Sequence, residues 1–172
     1  MAGDPSAGKA AAGGSGPIAL RPVTAADDTF LFAVYASTRA EELAPARWTP
    51  EQQEIFLKSQ FELRRAHYAR VFPTTNHSLV LRGGQPAGTF MIDRTAEEIR
   101  VVDIAFLPEH RGHGLGGRLL QGLCEEARAA GQPVRLHVHR GDRATHLYTR
   151  LGFVPVGGDQ LYMKMEWHAP DV

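Results

Sequence analysis

The stretch Phe106-Leu-Pro-Glu-His-Arg111-Gly-His-Gly114-Leu-Gly116-Gly117-Arg-Leu-Leu120 decides the reading of the whole chain. It follows an apolar segment, residues 99–107, that reads as a central strand. It runs into Leu115, Leu119, Leu120, Leu123 and Ala127, spaced as one face of a helix that ends near Gly131 and Pro133. A glycine loop between a strand and a helix leaves backbone N–H groups unpaired at the positive end of the helix dipole, a site suited to phosphate or pyrophosphate. Gly112, Gly114 and Gly117 formally satisfy G-x-G-x-x-G. Four residues, Pro108 to Arg111, separate the first of these glycines from the strand, and the chain offers only one strand-helix-strand unit, so a dinucleotide-binding fold is rejected. The mononucleotide P-loop fails as well, because Arg118 and Leu119 stand where Lys and Ser or Thr are required.

Outward from the loop, residues 134–139 read as the next strand, giving a right-handed crossover between parallel strands. Upstream, residues 77–82 and 85–93 flank Gly83-Gly84 as a hairpin. Ile18 to Val23 reads as a short first strand, and Thr24 caps a first helix that reaches about Leu43 with Phe30, Leu31, Val34 and Tyr35 at helical spacing. Pro45 and Pro50 separate it from a second helix over residues 50–71, whose looser apolar face is Ile55, Phe56, Phe61, Leu63 and Tyr68. A helix over residues 142–151 and strands over 153–156 and 160–167 close the chain. Residues 1–17, mostly Ala, Gly, Ser and Pro, have almost no side-chain area to bury and read as a flexible tail. The domain then spans residues 18–168, with a short tail over 169–172.

The 172 residues suffice for one domain with a sizeable core. The 19 Lys plus Arg balance 19 Asp plus Glu, so no overall field draws the chain to nucleic acid or to anionic membranes. The single cysteine, Cys124, excludes an internal disulfide framework and suits a reducing compartment. No apolar run approaches the roughly 20 residues of a membrane span, and no signal-peptide pattern opens the chain. The expectation is a cytoplasmic protein, monomeric or homodimeric.

Arg111-x-x-Gly114-x-Gly116 resembles the pyrophosphate loop of the GNAT superfamily, the acyl-CoA-dependent N-acyltransferases. Downstream, Ala144-Thr-His-Leu147-Tyr148-Thr-Arg-Leu151-Gly152-Phe153 resembles that family's second motif, A-x-x-L-Y-x-x-L-G-F. The two occur in order and on the expected elements, and the order of elements matches from Ile18 to Trp167. The resemblance implies an α/β (α+β) fold: a mixed, mostly antiparallel sheet of about six to seven strands, about four helices on both faces, and a V-shaped gap between the two central strands. It implies acetyl-CoA as co-substrate. Ile104, Ala105 and Phe106 would pair with the pantetheine arm; the loop of Gly112, His113, Gly114, Leu115, Gly116 and Gly117 would hold the pyrophosphate, with glycine keeping the backbone free to approach the phosphates. Arg111 would add charge or brace this loop. Asp142 stands where the family usually has an Asn that contacts the cofactor. Tyr148 aligns with the tyrosine that donates a proton to the departing sulfur.

Acyl transfer also requires a group that takes the amine proton. His137 and His139 alternate with Leu136 and Val138, so both imidazoles project from one strand face, and a related family position favours His137; a solvated strand histidine is the plain alternative. Asp103 lies in the apolar run Val-Val-Asp-Ile, where chemistry or a nearby arginine would explain it, and Glu42, beside Glu41, ends the first helix toward the expected acceptor cleft. His137-x-His139, His110 and His113 fix no third ligand, so no metal is assigned. Cys124 reads as core, and Trp48 as either an acceptor-site or a packed loop aromatic. The reading is an N-acetyltransferase that transfers acetyl directly from acetyl-CoA to a primary amine, with a non-catalytic acyl-CoA sensor on the same fold as the alternative.

Overall fold

The computed structural model describes residues 16–170. Nearly all of the expected flexible tail, and the last two residues, lie outside the described residues. Seven strands form one open sheet: β1 (Ile18–Pro22), β2 (Asn76–Arg82), β3 (Gln85–Arg94), β4 (Ile99–Phe106), β5 (Val134–His139), β6 (Val154–Gly158) and β7 (Tyr162–Trp167), in the order β1-β2-β3-β4-β5-β7-β6. Every pairing is antiparallel except β4 with β5. That exception follows from the connection, since parallel neighbours need a long crossover and α3 (Leu115–Ala130) supplies it. Gly83 and Gly84, both at positive φ, close the β2–β3 hairpin tightly.

Alternation along the strands divides the core into two layers. On β2, Leu79 packs toward α1 (Asp28–Leu43) and α2 (Pro50–Val71), while its neighbour Val80 packs toward α3 and α4 (Ala144–Arg150), and both are fully buried. Leu31, Tyr35, Leu57 and Phe61 fill the first layer. Leu120, Leu123, Cys124 and Ala127 of α3 fill the second, with Phe153 and Trp167.

Local chemistry moved several boundaries. The first helix is preceded by a 3-10 turn, Ala25–Asp27, because the Asp27 carboxylate is held by Arg21 through two contacts of 2.8 Å and by the Thr24 amide. On α2 the capping box of Thr49 and Gln52, with Pro50 at the first position, fixes the start as expected. Its apolar face is the expected one only in part: Phe61 is buried and Phe56 and Tyr68 are half-buried, joined by Leu57, whereas Ile55 and Leu63 are exposed. At α4 the helix begins at Ala144, since Asp142 serves its N-terminal end.

Candidate active site

The site begins with a failure of pairing. β4 and β5 are joined only at Ile99 with Val134, Arg100 with Arg135 and Val101 with Leu136. Beyond that point residues 103–106 stay bonded to β3 and residues 137–139 to β7, so the two facing edges part and leave a wedge. A bulge in β4 marks the opening: Met91 pairs with Asp103 and Ile92 with Val101, so Val102 is extra. The inserted residue resets the alternation. Ile104 and Phe106 thereby join the α3 layer, and Asp103 and Ala105 face α1 and α2.

The loop after β4 ends in a set of unused donors. Gly112 and Gly114 both sit at φ 74°, and a β-carbon on either would meet nothing within 4 Å, so backbone conformation rather than crowding selects glycine there. The first hydrogen bond of α3 runs from the Arg118 amide to the Gly114 carbonyl at 3.1 Å. Among the described residues, the amides of Gly112, His113, Gly114, Leu115, Gly116 and Gly117 therefore donate to no protein group. Six successive free N–H groups at a helix N-terminus form an anion cradle. Arg111 braces it: its Nε donates to the Phe106 carbonyl at 2.9 Å and its Nη2 to Ser37 Oγ of α1 at 2.8 Å.

Tyr148 lies on α4 with its ring edge-on to Phe153, centroids 5.8 Å apart. The residue is 6 % exposed. Its hydroxyl bonds no described residue, yet it is not among the fully buried polar atoms that lack a partner, which are His110 Nδ1 and Thr145 Oγ1. The ring is thus packed while the oxygen reaches accessible space. Burial raises the phenol above its ordinary value, with Asp142 and Asp103 adding to the effect. Asp142 Oδ1 accepts the Ala144 amide at 2.8 Å, so this carboxylate, standing where an Asn is usual, is engaged in holding the start of α4.

A cavity of about 740 Å³ lies between α1, α2 and strands β2, β3 and β4, and Ile104, Ala105 and Asp142 mark its end toward the wedge. Asp103 faces it and forms an ion pair with Arg64 of α2 at 2.7 Å. The guanidinium lies over the rings of Tyr35 and Tyr68, 5.4 and 4.9 Å from their centroids, and its Nε donates to the Tyr68 hydroxyl at 3.2 Å. Burial works against the charge on Arg64, but Asp103 and Tyr68 outweigh it and raise its pKa. On the same wall a His77 ring nitrogen meets Thr89 Oγ1 at 2.6 Å, and burial keeps that imidazole below its usual value.

Two expected groups lie elsewhere. Glu42 is bound by Arg39 through contacts of 2.6 and 2.9 Å, which holds it below the usual carboxylate range; its side chain is 62 % exposed and does not line the cavity. His137 occupies a separate hollow of about 280 Å³ with Arg100, Arg135 and Lys164, because the register pairs it with Lys164 on the uncovered side of β5 and β7. Partial burial and the charges of Arg100 and Lys164 lower its pKa. His139 packs on Tyr162, and Trp48 packs edge-on to Phe56. Arg64, Tyr68, His77 and Thr89 carried no motif; the only signal was Asp103 itself, a carboxylate in an apolar strand that requires a cation. Among the described residues no three His, Cys, Asp or Glu side chains gather as metal ligands, and no helix is long and apolar enough to cross a membrane.

The sequence model of the Acetyltransferase (GNAT) family matches residues 37–153, which hold the splayed strands, the amide cradle and Tyr148. The chain belongs to the GNAT acetyltransferase family. It is 28 % identical over 141 residues to a mycothiol acetyltransferase of Catenulispora acidiphila, a stretch that is 81 % of this chain but only 44 % of that protein's length. In fold it resembles the Thermoplasma acidophilum PaiA N-acetyltransferase, whose structure contains coenzyme A, at 18 % identity and a TM-score of 0.66 over 89 % of this chain and 99 % of the other. It also resembles an acetyltransferase from Thermus thermophilus, at 20 % identity and a TM-score of 0.63 over 88 % of this chain and 97 % of the other. Both structures share the fold of this GNAT chain.

Proposed function

We propose that this GNAT protein transfers the acetyl group of acetyl-CoA to a primary amine, directly and within a ternary complex. The observation that carries this reading is the run of six free amides from Gly112 to Gly117 beside the splayed edges of β4 and β5. The cradle fits a pyrophosphate: it supplies donors and a positive helix end. The free edge at Ile104, Ala105 and Phe106 fits an extended amide-bearing arm, which it would bind as an added strand. Arg111 holds that edge and the cradle in fixed relation by bonding Phe106 and Ser37.

Acetyl-CoA supplies a thioester whose C–S bond breaks as a C–N bond forms. The chain's residues handle the charge and the two protons. The Phe106 amide, on the strand edge, would polarise the carbonyl. Asp103 faces the acceptor cavity and takes the proton that the nitrogen sheds as it is acylated. Tyr148, kept protonated by burial, gives its proton to the departing sulfur and recovers one from solvent. An acyl-enzyme is not part of this reading: the one thiol, Cys124, is buried in the α3 layer and burial pushes its pKa up to about 11. The test is release of free CoA thiol when purified protein and acetyl-CoA meet a panel of amines. Acceptor-dependent thiol release supports the reading, and acetyl-CoA binding with no release to any amine favours a sensor.

A further inference from the structure

The Arg64–Asp103 pair spans the acceptor cavity from α2 to β4, and both partners leave polar atoms unused. Arg64 donates from Nε to Tyr68 and meets Asp103 through Nη2; among the described residues its Nη1 makes no hydrogen bond. Asp103 has no other described cationic partner. The pair therefore presents a donor and an acceptor side by side, on the wall that ends at Ile104 and Ala105.

We propose that the acceptor is a zwitterionic α-amino acid with an apolar or aromatic side chain, its carboxylate held by Arg64 and its amine by Asp103. This rests on the acetyl-transfer reading above and names its substrate class. Three observations lead to it. First, each arginine that lines this cavity meets a carboxylate, Arg64 with Asp103 and Arg65 with Asp28 at 3.3 Å, and a further carboxylate, Asp142, stands at the cavity's end. A plain anion would meet Asp103 as a like charge, and a plain amine would compete with Arg64 for one carboxylate; an adjacent ammonium and carboxylate completes an alternating set of four charges. Second, the guanidinium lies over the rings of Tyr35 and Tyr68, which holds it in place with Nη1 left to donate to a carboxylate. Third, Leu31, Val34, Phe61 and Phe72 give the wall an apolar stretch that suits an apolar side chain, and the volume is that of a small-molecule site. The amine bound at Asp103 lies next to the strand edge assigned to the thioester. The ammonium first loses one proton to solvent; the neutral α-nitrogen then forms the C–N bond as the C–S bond of acetyl-CoA breaks, Asp103 takes the second nitrogen proton and Tyr148 protonates the sulfur, so that N-acetyl amino acid and free CoA result with one proton released overall.

The test compares phenylalanine, phenylalaninamide and phenethylamine as acceptors for the unmodified protein, following thiol release. Phenylalanine should exceed the two compounds lacking the carboxylate by at least about tenfold in kcat/KM, the scale expected when a charged partner is left unmatched. Arg64→Gln should remove that preference through KM and leave acetyl-CoA affinity unchanged. A circular dichroism melt of the variant checks folding, and the comparison on the unmodified chain stands without it. Equal or better use of phenethylamine overturns the inference while the acetyl-transfer reading survives. Arg64-dependent binding of phenylalanine to the protein with CoA, but without turnover, supports the recognition and removes the transfer. Neither binding nor turnover of any α-amino acid overturns the inference.

Discussion

The proposed donor side and the proposed acceptor side of this protein are built from different materials. The wedge, the cradle of residues 112–117 and the start of α4 are backbone constructions: strand edges, free amides and an Asp142 cap fixed within short stretches of chain. The cavity under α1 and α2 is a side-chain construction, in which Arg64 meets Asp103 and His77 meets Thr89 across elements distant in sequence. Backbone geometry needs only a few residue types at fixed spacing, chiefly glycine. Side-chain geometry can be satisfied by many combinations, so one scaffold can keep its donor and change its acceptor.

Perturbing each side separates the two. The largest effect is expected from Gly114→Glu, which adds a β-carbon at φ 74°, costing about 1–2 kcal/mol, and a carboxylate inside the anion cradle. Calorimetry with acetyl-CoA should show no binding, and turnover should vanish. Retained micromolar binding would break the claim that the donor side depends on those amides. Tyr148→Phe follows, with kcat lower by about 10²–10⁴ and acetyl-CoA affinity unchanged. Since the hydroxyl bonds no described residue, the melting temperature should stay put. The folded phenol lies above its ordinary value, so the proton-bearing form persists through about pH 10 and Tyr148 should impose no alkaline fall in kcat below that.

How far each side can be read from sequence follows from the same contrast. The strand, loop and helix around Arg111, Gly114 and Gly116, and the helix carrying Tyr148, were legible because local pattern determines them. The ion pair of Asp103 was legible only as a need. Its partner on α2 could not be chosen from the sequence, because the expected face mixed Phe61 and Tyr68, which turn inward, with Ile55 and Leu63, which are exposed. The surroundings of His137 were hidden for a related reason. Alternation correctly gives its strand face but not what covers that face, and here that part of the sheet is open.

Smaller effects sharpen this point. Asp103→Asn should lower kcat/KM by roughly 10² and, by leaving Arg64 without its counter-charge, cost about 1–3 kcal/mol of stability in a denaturant melt. His137→Ala should change kcat/KM by less than about threefold, since the imidazole lies in a different hollow from Asp103. A large loss in the histidine variant with none in Asp103→Asn would reverse the assignment of the base. The mildest perturbation is alkylation of Cys124. With the thiol pushed up to about 11 by burial, roughly a thousandth is thiolate at pH 8, so iodoacetamide labelling should be slow in native protein and fast in urea.

The most direct test of the central claim, that bare backbone amides hold the donor, is to titrate the unmodified protein by calorimetry with acetyl-CoA and, in parallel, with acetyl-pantetheine, which carries the thioester but no phosphate. Acetyl-CoA should bind with micromolar affinity, and removal of the phosphates should weaken binding by at least about 100-fold. Equal affinity for the two would contradict it, since the cradle at Gly112 to Gly117 would then hold nothing that matters to binding.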